Sequence, residues 1–158
     1  MLVDLLRIVH VLASCVWVGG TIVLVFVGVP AIRATEGEAR AAAMRTLGRR
    51  WRPLGWSAMG VAIVSGLWLT DRHGGFNEAA LDTRFDRLLI GKSAVVVALC
   101  AGAVLHDYVI GPRLQRELRA GEATAPETRR RLVLVGWFNF ALTLLVPVLG
   151  VLALGTLD

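Results

Sequence analysis

The sequence predicts an all-α membrane protein, folded as a four-transmembrane-helix bundle with both termini outside, and three observations carry that prediction. Of its 158 residues, 56% are hydrophobic and only 18% are charged, and the mean hydropathy is +0.65, outside the range of soluble globular chains. Four apolar runs, at about 8–30, 53–70, 88–110 and 132–156, are each of a length to cross a hydrocarbon core of roughly 30 Å as one helix. The segments between them are short, and two of the three are rich in arginine. The whole chain, 1–158, therefore reads as a single transmembrane domain.

The first run, Ile8 to Ile32, is apolar throughout except for His10. The tetrad Leu12-Ala13-Ser14-Cys15 has the look of a lipoprotein cleavage site, but the apolar stretch before it is short and the one after it continues to Ile32, so the segment reads as a retained span. The second run opens at Pro53, a helix breaker, and carries Ala58, Ala62 and Gly66 at four-residue spacing; small residues on one face let helix backbones approach. The third repeats the device with Ala94, Ala98 and Gly102. In the fourth, Asn139, Thr143, Pro147 and Gly150 share a stripe, and Pro147 leaves the Thr143 carbonyl without its helical donor, which predicts a bend. Small faces on several helices predict a close-packed bundle.

Charge sets the orientation. The first connection, 33–52, and the third, 111–131, hold 12 arginines between them against 3 in the second, so both are expected in the cytoplasm. The net charge of +5 is thus an orientation signal and not a nucleic-acid footprint, since no basic patch is interleaved with aromatic residues. Cys15 and Cys100 both fall within spans, where a buried thiol is the ordinary reading.

Four side chains carry the functional reading. His10 lies within a span, where an ionisable group costs free energy and is functional by default; the competing reading is a histidine that hydrogen-bonds across helices as packing glue. It shares a stripe with Ser14, Trp17 and Thr21. Lys92 and His106 are fourteen residues apart, close to four turns, and so share a face of the third helix with Val96, Leu99 and Ala103. Both the first and third helices start outside, so His10 and Lys92 are expected at similar depth, while His106 is roughly 20 Å deeper. Lys92 either faces the interior or snorkels to the outer interface, and His106-Asp107 reads as an interfacial pair. His73, before Gly74-Gly75 in the outer connection, is within reach of His10 for a soft-metal site, or is simply a loop residue. The candidate metal ligands are thus His10, His73 and His106. The tryptophans Trp51, Trp56, Trp68 and Trp137 sit near span ends, as an aromatic belt does.

HVLASCVWVGG in the first helix, PLGWSAMGVAIVSGLW after the basic connection, LLIGKSAVVV opening the third helix and LHDYVIGPRL closing it together resemble the copper-resistance D (CopD) family of membrane proteins over nearly the whole chain. That resemblance implies copper handling in the bacterial inner membrane, with His10 as an outer-leaflet site. More distantly, the His–Trp–Gly start, the lysine of the third helix and Trp137-Phe138-Asn139 in the last are similar to HemJ, the haem-binding membrane protoporphyrinogen oxidase, although Gly19-Gly20 stands where those chains tend to have AG. By that likeness His10 and Lys92 are the essential pair: His10 an axial ligand of haem b, Lys92 a propionate partner or catalytic group, both beside Trp17 in one cavity. Copper is the first cofactor expectation and haem b the second; a non-catalytic membrane subunit is the third reading. Membrane lipid, a redox or copper-delivery protein and further copies of the chain are the candidate partners.

Overall fold

The computed structural model describes residues 1–72, 83–120 and 125–155. Those residues are helical almost throughout, and four of the helical runs are long and apolar enough to cross a membrane: Leu2–Arg33, Gly37–Arg72, Arg84–Leu118 and Ala125–Leu154. The elements are α1 (Leu2–Val23), a π-helical turn at Leu24–Gly28, α2 (Val29–Arg33), α3 (Gly37–Arg72), α4 (Arg84–Val104), a second π-helical turn at Leu105–Ile110, α5 (Gly111–Ala120) and α6 (Ala125–Leu154). His73 falls outside the described residues.

Each π-helical turn lies just ahead of a proline, Pro30 in one case and Pro112 in the other. A proline ring collides with the carbonyl four residues before it, and widening the preceding turn by one residue relieves that collision without breaking the helix. The helices accordingly continue: the N–H of Val29 reaches back five residues to Leu24, and that of Gly111 to His106.

The chain divides into two compact units, Met1–Asn77 and Glu78–Asp158, each built on one antiparallel helix pair. In the first unit α1 packs on α3, with His10 beside Ala62 and Gly66, Gly20 against Trp51, and Gly28 against Leu47. In the second α4 packs on α6, with Lys92 beside Gly150, Gly102 against Asn139, and His106 beside Gly136; α5 also contacts α6. Buried side chains include Met59 and Ser65 in the first unit and Leu99 and Thr143 in the second, the last two each 2% exposed. Val64, Val97 and Val151, by contrast, point outward, which suits a surface bathed in acyl chains and not water.

Lipid offers backbone and hydroxyl groups no hydrogen-bond partners, so they are satisfied within the protein, and several hydroxyls bond within their own helix. Thr21 donates to the Trp17 carbonyl, Ser65 to Val61, Thr70 to Gly66, Ser93 to Leu89 and Thr143 to Asn139, in every case one turn back. The Thr143 bond runs to the carbonyl that precedes Pro147 by two turns, and α6 passes through Pro147 without interruption.

Two boundaries differ from the sequence expectation. Pro53 does not open the second helix; α3 begins sixteen residues earlier, at Gly37, and runs straight through it. A proline costs one hydrogen bond and a steric clash, but the arginines and alanines ahead of it are good helix formers and the segment packs on α1 and α2, which together outweigh the defect. Likewise much of 111–131 is helical, as α5 and the first turn of α6.

Candidate functional site

Several large side chains that project across a seam meet a glycine on the opposite helix. A β-carbon at Gly66 would stand 3.0 Å from His10 Cε1, one at Gly150 would stand 3.2 Å from Lys92 Nζ, and one at Gly136 would stand 3.5 Å from His106 Nε2. Gly20 and Gly102 are closer still to Trp51 and Asn139 respectively. The glycines therefore supply the volume these side chains need between closely packed helices.

His10 has the most defined setting. Its Nδ1 lies 2.8 Å from the Ala62 carbonyl oxygen and 3.1 Å from Ser65 Oγ. A carbonyl only accepts, so Nδ1 carries a proton; in the neutral ring the lone pair then lies on Nε2. The Ser65 hydroxyl is itself committed to Val61, 2.6 Å away, so toward His10 it serves as an acceptor. The ring is thus held at its Nδ1 edge by α3, over Gly66. This is how proteins orient a histidine whose other nitrogen binds a metal: the Nδ1–H bond fixes tautomer and ring plane. Ser65 is 3% exposed, and the sequence reading did not single it out. Its signal was present, since it follows Ala62 by one turn on the small-residue face.

Trp17 lies two turns beyond His10 on α1, half-buried, about 10 Å along the axis. Lys92 and His106 belong to the second unit. They do share the face of α4 that meets α6, with Leu99 enclosed between them, as the spacing predicts. His106 Nδ1 is 2.9 Å from Asp107 Oδ1 in a half-exposed pair. Lys92 and His106 are fourteen residues apart on one helix, about 21 Å, and cannot hold one ion together.

Asn139 adds a feature of its own. Its Oδ1 is buried against Gly102 and has no hydrogen-bond partner among the described residues. Cys15 is exposed on the outside of α1, and Cys100 is a free thiol on α4. No three His, Cys, Asp or Glu side chains gather as a metal-ligand cluster among the described residues. His10 can therefore supply a metal with one oriented donor, and among the described residues it belongs to no cluster of three or more such side chains.

No curated protein and no solved structure matches the chain. A protein family does: residues 45–154 match Copper resistance protein D, a stretch that starts past His10 and takes in most of α3 together with Lys92 and His106. With a match over more than half of its length and four membrane-spanning helices, the chain belongs to the CopD family and is an integral membrane protein.

Proposed function

We propose that the chain handles copper within the bacterial inner membrane, as cargo held at an outer-leaflet site on His10. One observation carries this reading: the imidazole is set between helices with its Nδ1–H donated to Ala62, the kind of bond that fixes tautomer and ring plane in a metal-ligating histidine. Family membership points to copper, and copper accepts imidazole in either common oxidation state. In this reading both termini lie outside, the arginine-rich connections lie in the cytoplasm, and His73 or a copper-delivery protein completes the ligand set. By the arginine distribution His106 is expected toward the cytoplasmic side, as a separate position.

The same geometry favours a second reading. A haem iron needs only one oriented protein imidazole, and His10 is a single such donor. The two readings separate on one sample. The purified protein is examined by visible absorption, oxidised and reduced, and its copper is quantified by elemental analysis. Stoichiometric copper without a Soret band, lost in His10→Ala, supports the first. A Soret band that shifts on reduction and disappears in His10→Ala supports the second, and neither signal returns His10 to a helix-packing role.

A further inference from the structure

The register of the first unit places two incompatible surfaces at one depth. Gly28 meets Leu47 and Gly20 meets Trp51, so residues 45–52 of α3 run alongside residues 20–30 of the α1–α2 helix. On the α1–α2 side this level is apolar from Val23 to Ile32, and Val23, Phe26 and Val27 are 58%, 58% and 60% exposed. On the α3 side it carries Arg45, Arg49, Arg50 and Arg52. Arg45, Arg49 and Arg50 are exposed and have no ion-pair or hydrogen-bond partner among the described residues. The chain has no acidic residue between Glu38 and Asp71, nor any between Asp4 and Glu36.

Neither bulk phase suits that level. Hydrocarbon would accept the valines and Phe26 but would strand three guanidinium groups without counter-charge. Water would accept the arginines but would expose a continuous apolar strip. Helix length agrees with a level between the two: α3 has 36 residues, about 54 Å, against a core of roughly 30 Å, so its Gly37–Arg52 portion emerges from the core. At the headgroup boundary the apolar strip meets the upper acyl chains and the guanidinium groups meet phosphate, which they bind through paired N–H donors.

We propose that Arg45, Arg49 and Arg50, together with Val23, Phe26 and Val27, form a binding site for anionic phospholipid at the arginine-rich end of the first unit. The arginines take the headgroup phosphate and the apolar strip takes the first methylenes of the chains. The site is independent of the copper or haem reading, because it uses none of the same residues.

The test uses the full-length protein in phosphatidylcholine nanodiscs containing increasing phosphatidylglycerol, with bound lipid identified by native mass spectrometry. Wild-type protein should retain phosphatidylglycerol selectively. The triple variant R45Q/R49Q/R50Q should lose that preference by on the order of 100-fold, the equivalent of about 1 kcal/mol for each interfacial arginine. R129Q/R130Q, which removes charge from the second unit, should keep it. An equal loss in both variants would reduce the effect to overall charge and overturn the site. Displacement of the lipid by inorganic phosphate at equal concentration would show a free-phosphate site and overturn the lipid assignment. Should the triple variant fail to fold by circular dichroism, the wild-type preference at 50 mM and 1 M salt decides: a fall supports the proposal, and no change refutes it.

Discussion

Replacing Gly66 with alanine separates what the helix needs from what His10 needs. A β-carbon there would lie 3.0 Å from His10 Cε1 and 3.4 Å from Nδ1, so the ring must move by a few tenths of an ångström away from α3, and the Nδ1 bond to Ala62, now 2.8 Å, lengthens. That bond is worth about 0.6 kcal/mol by the average for interhelical bonds in membranes. Alanine in place of glycine within a helix returns about 1 kcal/mol. The two effects nearly cancel, so detergent-unfolding stability should change by less than about 1 kcal/mol in either direction. Metal affinity should not cancel, because loosening the group that orients a ligating histidine costs about 10-fold to 100-fold. Gly60→Ala is the control: it lies on the same helix with nothing within 4 Å of its β-carbon, and should gain stability with affinity unchanged. Titration of both variants with copper, alongside their unfolding curves, reads the two quantities separately. If Gly66→Ala keeps wild-type affinity while His10→Ala loses it, the anchoring of Nδ1 by α3 is not what prepares the site.

Three further outcomes follow. Gly20→Val should destabilise the first unit by about 1–3 kcal/mol through collision with Trp51, and adding Trp51→Ala should recover part of the loss, as an unfolding double-mutant cycle would show. Gly102→Ala should cost a similar amount by driving a methyl into Asn139, whereas Asn139→Ala alone should stay within about 1 kcal/mol, because the Oδ1 it removes lacks a hydrogen-bond partner among the described residues. Glu127→Gln should shift unfolding by less than about 0.5 kcal/mol, since its pairing with Arg131, at 2.5 Å, is solvent-exposed on both sides.

Much of the fold was legible because hydropathy alone decides which segments must avoid water. The four spans follow from the apolar runs, and the small-residue face of Ala58, Ala62 and Gly66 does pack on α1, whereas of the stripe Ala94, Ala98 and Gly102 the two alanines are exposed and Gly102 meets Asn139. Helix periodicity likewise put Lys92, Leu99 and His106 on one face, and the structure shows that face against α6. Helix ends were less legible. Arginine-rich segments satisfy both a loop and a solvated helix, and a proline signals a boundary only when packing does not carry the helix past it, as it does at Pro53. The pairing of His10 with its particular acceptors was less legible for a different cause. Which α3 residue faces a given α1 residue depends on the register of an antiparallel pair, and Ser65 and the Ala62 carbonyl become its acceptors only once Trp51 has settled on Gly20 and Leu47 on Gly28. The π-helical turns at Leu24–Gly28 and Leu105–Ile110 were unforeseen too, although Pro30 and Pro112 were their visible cause.

The most direct test of the central claim is copper-edge X-ray absorption on copper-loaded protein, comparing wild type with His10→Ala. The account predicts imidazole scattering in the wild type, with one imidazole lost and bound copper sharply reduced in the variant. An unchanged spectrum at unchanged stoichiometry would place the copper elsewhere and leave His10 as a packing residue.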